Sequence, residues 1–472
     1  MQYHHLFFHS LVVEPSKAFV PNPNRTTSFE TWMITVSEYK KILKSLYDRN
    51  YILVNMADLL QGKIQLPEGK IPLVLSYDDV NYYDYMKGFG FADKLVVTQE
   101  GKIANEWLEE DGTITVSTEL DGVAILEGFL EKHPDFSWKG ARGILAVTGF
   151  EGVLGYRDLQ GQKEQLQQVV RTLKKLGWEF ACHSYAHKRD VFADEDADEN
   201  LCIEDTKRWL EEVGPIVGDT NIYISPFGIK TRNYNQFDEY LRKNGFQYFC
   251  DVNNTRAYTK VENCFYFPRI NIDGFLLKHR NYEFECYYGK LDDIIDSGRT
   301  QVYTRYEKNA QSLAKHARVC LRMPTTYLWG GLGEIITEEV IEAQKEEYPK
   351  TYDDNCCKRL REKIGKGVRG FDCSGLIKNY VMGGIPNYQY NVNYDLNSSM
   401  MLARAEKSGE IASLPEQPGV CLYMPGHVGI YMGKQKVIES TSNPQFGDGV
   451  VETNITDREW THWFYCPGIS YD

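Results

Sequence analysis

From Leu6 to about Phe284 short apolar runs alternate with amphipathic stretches, and this alternation limits the possible folds more than any other feature of the chain. The runs Tyr51–Val54, Ile71–Leu75, Gly143–Val147, Trp178–Cys182 and Ile222–Ile224 read as buried strands. Between them, Ser37 to Arg49 puts Tyr39, Ile42, Leu43 and Leu46 on one helical face. Gln162 to Leu176 does the same with Leu166, Val169, Val170, Leu173 and Leu176. Strand–helix alternation of this kind predicts a parallel α/β sheet or barrel.

After Tyr288 the texture changes. Lys290 to Val319 is polar and charged, which fits a connector or an exposed helix, and the boundary is expected near 290–315. The final segment gives one helical pattern after Phe371-Asp372-Cys373. Closely spaced strand-like runs follow at Gly419–Tyr423, His427–Tyr431 and Lys436–Ile438, an α+β arrangement. With 472 residues and no internal repeat, the chain reads as a domain over 1–290, a connector over 291–315 and a second domain over 316–472.

Composition excludes several classes. Against 66 acidic residues stand 53 basic ones, a net charge of −13 that offers nucleic acid no electrostatic footprint. No run approaches the roughly 18 apolar residues of a membrane helix, and Met1 to Leu6 has no targeting pattern. Eleven cysteines, odd in number and without a CxxC, do not form a disulfide framework or a zinc ribbon, so mostly free thiols are expected. The 32 Tyr, 22 Phe and 8 Trp suit stacking on sugar rings and core packing equally.

Asp78-Asp79 closes the run Leu73–Tyr77, placing two carboxylates at the carboxyl end of a strand, where α/β folds put their chemistry; a turn or a helix cap uses the same residues. His183-Ser184-Tyr185-Ala186-His187 follows another strand. An i, i+4 pair at a helix start would bring two imidazoles close enough to share a metal, and two unrelated surface histidines are the other reading.

Together these motifs resemble the polysaccharide deacetylases of the NodB-homology type, carbohydrate esterase family 4. Leu75-Ser76-Tyr77-Asp78-Asp79, His183-Ser184-Tyr185-Ala186-His187 and Ser225-Pro226-Phe227-Gly228 stand where that family has T-F-D-D-G, H-S-x-x-H and R-x-P-Y-G, over residues 1–288. The resemblance implies a distorted (β/α) barrel. It also implies a divalent metal, zinc by family habit, on Asp79, His183 and His187, with Asp78 as general base and Pro226 and Phe227 in the substrate site. Leu277-Lys278-His279 is similar to the family's L-x-H, which would make His279 the acid that protonates the leaving amine; a surface histidine is the alternative. Two positions depart from the pattern: Val80 replaces a glycine, and Ile224 stands where the family's arginine would orient the base. Asn105 to Arg142 reads as an insertion beside the sugar groove.

In Gly370-Phe371-Asp372-Cys373-Ser374-Gly375 the cysteine opens a helical pattern, where backbone N–H groups and the helix dipole favour thiolate. His427 opens a strand 54 residues later and would serve as base if the fold brings it near; a buried structural cysteine with an unrelated histidine is the plainer reading. Tyr327-Leu328-Trp329-Gly330-Gly331, Asp372-Cys373-Ser374-Gly375-Leu376 and Gly426–Gly433 are similar, in order and character, to the NlpC-type papain-like cysteine peptidases of peptidoglycan, over about 310–470. By that resemblance Cys373 is the nucleophile, His427 the base and Tyr327 the residue beside the nucleophile. Glu439 takes the position that orients the histidine. Glu334 to Ile364 reads as a charged helical insertion near this second site.

The expectation is therefore a bifunctional bacterial cell-wall hydrolase: metal-dependent N-deacetylation of an N-acetylated glycan and thiol-dependent cleavage of stem peptides in peptidoglycan. The alternatives are a cysteine endopeptidase carrying an inactive metal- and sugar-binding module, and a component of a phage or conjugation apparatus.

Overall fold

The computed structural model describes residues 3–19, 29–109, 111–192, 198–252, 257–299, 308–385 and 388–471. The described residues form two compact units, one within 3–284 with 288–299 and one within 308–471 with 285–287. Among the described residues no helix is long and apolar enough to cross a membrane.

In the first unit the strands are β1 His4–Phe8, β2 Tyr51–Leu53, β3 Ile71–Tyr77, β4 Lys94–Val97, β5 Ile103–Leu108, β6 Ile114–Ser117, β7 Ile144–Val147, β8 Glu179–Cys182, β9 Ile222–Ile224, β10 Tyr248–Cys250, β11 Thr259–Val261, β12 Cys264–Tyr266 and β13 Ile270–Asn271. The main sheet runs β11-β12-β10-β9-β8-β7-β3-β1-β13, with β2 added on β3. Every pair in it is parallel except β11–β12. The sheet curls back on itself, and one parallel bridge, Val252 to Arg269, joins the segment after β10 to the residue before β13. The result is a distorted barrel whose two edges meet at this bridge.

Pleating explains both its core and its mouth. Side chains two apart share a face, so Val74, Ile144, Ala146, Ala181, Ile222, Ile224, Tyr248 and Cys250 form one buried cluster. The same alternation carried past the strand ends aims Asp78 and His183 at the barrel mouth. The helix Val36–Asp48 is set by a capping box between Thr35 and Glu38 and buries Tyr39, Ile42, Leu43 and Leu46. The helix Lys163–Leu176 ends on Gly177, whose φ of 104° closes the last turn.

Of the expected insertion 105–142, the helix Gly122–Lys132 belongs to the barrel, because it is the crossover between β3 and β7 and buries Val123, Ala124, Ile125 and Leu126. The added structure begins earlier, as the antiparallel sheet β4-β5-β6.

The second unit holds β14 Thr325–Tyr327, β15 Leu332–Ile335, β16 Arg369–Phe371, β17 Ser408–Glu410, β18 Cys421–Met424, β19 His427–Tyr431, β20 Lys436–Thr441, β21 Gly449–Asn454 and β22 His462–Phe464. They make a three-stranded sheet, β14-β16-β15, and a six-stranded antiparallel one, β17-β22-β18-β19-β20-β21. The reading of Lys290 to Val319 as connector or exposed helix is corrected over 310–321. That helix buries Leu313, Ala314, His316, Ala317, Val319 and Cys320, and the alanines, His316 and Cys320 among them do not announce a core face. Residues 300–307 of the expected connector lie outside the described residues. The segment Glu334 to Ile364 contains two helices, Glu338–Glu347 and Asp354–Arg361, whose Ile341, Cys357 and Leu360 share a small core with Leu328, Ile336 and Tyr352.

Candidate functional sites

Asp78 and Asp79 follow β3. Asp78 Oδ1 accepts from Arg269 Nη1 at 2.6 Å and Oδ2 from Nη2 at 2.9 Å, with both residues buried. Burial by itself would raise the Asp78 carboxyl, but the charges of Arg269 and His183 and the hydrogen bonds from Arg269 outweigh it and hold the group well below the usual carboxylate range. Asp78 is thus an ionised proton acceptor. The guanidinium also donates to Ser76 Oγ at 3.2 Å, and Ser76 meets His5 Nε2 at 3.0 Å. This polar column lines the inward face of β1 and β3.

Position 224, where an arginine was expected, is a buried strand isoleucine whose backbone carbonyl faces His183 Nδ1 at 2.7 Å. A proton on Nδ1 leaves the Nε2 lone pair for a cation. Burial lowers the His183 pKa, so the ring is neutral near pH 7. Ligand atoms of Asp79, His183 and His187 all lie within 4.8 Å of one another. One carboxylate and two imidazoles converging in this way fit a divalent cation such as zinc and leave coordination positions open.

The two histidines do not start a helix as expected. They lie in a loop after β8, where Ser184 and His187 take positive φ values of 62° and 47° and the rings come to 4.9 Å. Asp205 stabilises this loop by accepting from the Tyr185 and Ala186 N–H groups. The turn after Asp79, without the family's glycine, is held by side chains. Asp79 has φ 56°, buried Asn81 accepts from Thr148 N–H and donates to the Thr148 carbonyl, and Tyr83 donates to Asp79 Oδ1 at 2.7 Å.

Pro226 is buried in the turn after β9, and exposed Phe227 lays its ring 4.5 Å from His187. Among the described residues no interaction links His279 to the Asp79–His183–His187 cluster. His279 is exposed on the last turn of the helix Gly274–His279 and packs on Phe275 at 4.8 Å. His9 is at the mouth instead, feeling the charges of Asp78, Asp79, His187 and Arg269, with its enclosed ring pushed towards the neutral form by burial. Its Nδ1 is buried without a hydrogen-bond partner. Strand periodicity through His5, Phe7 and His9 was the signal available for it.

In the second unit, Asp372 caps the helix Cys373–Val381 by accepting from Gly375 N–H, which sets Cys373 in the first turn. The Tyr327 hydroxyl lies beside the thiol, and burial with the neighbouring charges of Cys373 and Asp372 raises its pKa. His427 Nε2 lies 2.5 Å from Glu439 Oε2, and fully buried Glu439 is also held by Arg458 at 2.9 Å and Thr453 at 2.7 Å. Burial of Glu439 opposes its charge, but the bonds from His427, Arg458 and Thr453 prevail and lower its pKa. The expected thiolate is corrected. Burial and the Asp372 charge push Cys373 up to about 11, against backbone N–H groups of Val428, Ser374 and Cys373 itself that pull it down. None of the eleven cysteines is in a disulfide.

No protein-family model and no curated protein matches the chain. Among solved structures it is similar to the Streptococcus pyogenes deacetylase PplD in complex with acetate, at 13% identity over 58% of this chain and 93% of that one, TM-score 0.36. It is also similar to the de-N-acetylase from Aggregatibacter actinomycetemcomitans, at 15% identity over 58% and 95%, TM-score 0.35. IcaB from Ammonifex degensii shares 16% identity over 57% and 91%, TM-score 0.32.

Proposed function

We infer that the first unit is a metal-dependent N-deacetylase of an N-acetylated glycan, and that the region 316–472 is a thiol peptidase cutting stem peptides, so that both act on peptidoglycan at the bacterial cell wall. The observation that carries the first half is the convergence of Asp79, His183 and His187 beside an Asp78 carboxylate paired with Arg269. A zinc ion held there would supply Lewis-acid polarisation of the acetamide carbonyl. Asp78 accepts a proton as water attacks that carbon. Arg269 fixes the direction of the carboxylate, Tyr83 holds Asp79, and Phe227 walls the substrate side beside His187. His9, neutral in the free site, is the imidazole at the mouth that would take up the proton Asp78 receives from water and pass it to the leaving amine. Arg269 also favours activity over the inactive-module reading that Val80 and Ile224 motivate, because it restores the charge partner that position 224 lacks.

For the second half the supporting geometry is the His427–Glu439 pair, with Tyr327 on Cys373 and the Cys373 thiol in reach of the Val428 N–H, next to His427. Nε2 being taken by Glu439, Nδ1 is the atom left to receive the thiol proton. The buried thiol would ionise only as it attacks. Acetate release from N-acetylglucosamine oligomers tests the first half; no release by zinc-loaded protein would refute it.

A further inference from the structure

Exposed aromatic side chains of the first unit gather at one end of the barrel. Trp32, Tyr85, Phe150, Phe227 and Phe275 are 42–49% exposed, and they lie on the segments that follow the carboxyl ends of β1, β3, β7, β9 and β13. That is the end at which Asp78, Asp79 and His183 stand. The aromatics form a linked series: Phe150 lies 5.8 Å from Tyr83, Tyr83 stacks on Tyr85 at 5.5 Å, and Tyr85 stacks on Phe29 at 6.3 Å. Phe29 shares the short helix Phe29–Trp32 with Trp32, and Trp32 stacks on Phe275 at 6.1 Å with planes 12° apart. Since Tyr83 also bonds Asp79, the series starts at the metal cluster.

The far end of this series is built to be rigid. At Gly274 any Cβ would fall 1.8 Å from the Glu30 carbonyl oxygen, so glycine alone lets the helices bearing Trp32 and Phe275 touch. Buried Arg299 holds the Trp32 helix, donating to the Glu30 and Met33 carbonyls at 2.8 and 2.9 Å and pairing with Glu38 on the next helix. Stacked on each other, with His279 against Phe275, the two rings still leave 43% of Trp32 and 42% of Phe275 to water on this support, an exposed aromatic pair of the kind that marks a binding surface. Flat aromatic faces suit the C–H faces of pyranose rings.

We propose that Trp32 and Phe275 form a distal sugar platform, and that consecutive rings of one glycan strand run from it along Tyr85 to the metal cluster, making the substrate an oligomer of several residues. This deepens the deacetylase reading and rests on it for the identity of the sugar. The test is binding of N-acetylglucosamine oligomers of two to six rings to chelator-treated wild type, W32A, F275A and W32F, by calorimetry, with melting temperature as the check on folding. Wild type should bind the hexamer more tightly than the dimer. That advantage should fall roughly tenfold in W32A and F275A and be mostly kept in W32F. Equal affinity at all lengths, or variants indistinguishable from wild type, would overturn the platform even if acetate is released. Loss of the length dependence in both alanine variants supports it even if no acetate is released, the outcome that instead removes the deacetylase reading. A wild-type dimer that W32A converts to monomer would assign the patch to a second copy and also overturn the proposal.

Discussion

Arg269 and Asp78 meet in a two-bond, buried ion pair at the point where the barrel closes, since the Arg269 backbone forms the closing bridge to Val252 and its side chain crosses to the residue after β3. Removing the guanidinium strands a buried carboxylate. Arg269→Gln should therefore cost about 3–5 kcal/mol at neutral pH. In wild type the Asp78 pKa is depressed, so its stabilisation is present above the ordinary carboxyl value near 4 and is lost only as pH falls through its lower folded value. In the variant, burial would raise Asp78, so the deficit should shrink on acidification as the lone charge is neutralised. Denaturant melts of both proteins from pH 7 to pH 4 check this; a deficit that grows on acidification would contradict it.

Metal binding should depend on the support as well as the ligands. Asp79→Ala, His183→Ala and His187→Ala should each abolish stoichiometric zinc. Tyr83→Phe removes the bond to Asp79 Oδ1 and should weaken zinc affinity by about tenfold or more. Competition titration with a chromogenic chelator measures both effects.

The two candidate acids make opposite predictions. His9 faces the charged cluster, whereas His279 packs on Phe275. His9→Ala should depress kcat for acetate release by about 10²-fold or more, the scale of a lost general acid, and His279→Ala should cost much less. Equal losses would restore His279.

The Cys373 thiol, raised to about 11, is protonated at neutral pH. Its alkylation by iodoacetamide, followed by mass spectrometry, should climb steadily from pH 7 towards pH 11. A plateau below pH 7 would reveal a preformed thiolate instead. Glu439→Gln removes the acceptor for the His427 proton and should lower peptide release by up to about 10⁴-fold.

Much of this was legible along the chain. Apolar runs gave β2, β3, β7, β8 and β9 nearly to the residue, because strands buried on both faces need uninterrupted Val, Ile and Leu. Asp78, Asp79, His183 and His187 stood out because strand ends and spacing placed them. Arg269 was hidden, since its partner lies 191 residues away and nothing in Pro268-Arg269-Ile270 signals a contact across a barrel. The loop at 183–187 looked helical by spacing, because the positive φ of Ser184 and His187 leaves no mark on composition. The burial of the helix 310–321 was not legible because only Leu313 and Val319 of its buried face are large apolar residues, the rest being alanines, His316 and Cys320.

The most direct test of the central claim is a mass-spectrometric muropeptide profile of sacculi treated with zinc-loaded wild type, Asp78→Asn and Cys373→Ala. Wild type should produce glycan fragments that have lost acetyl groups together with shortened stem peptides. Asp78→Asn should leave the acetyl groups while still cutting peptides, and Cys373→Ala should do the reverse. Acetyl loss that persists undiminished in Asp78→Asn, or peptide cleavage undiminished in Cys373→Ala, would contradict the account.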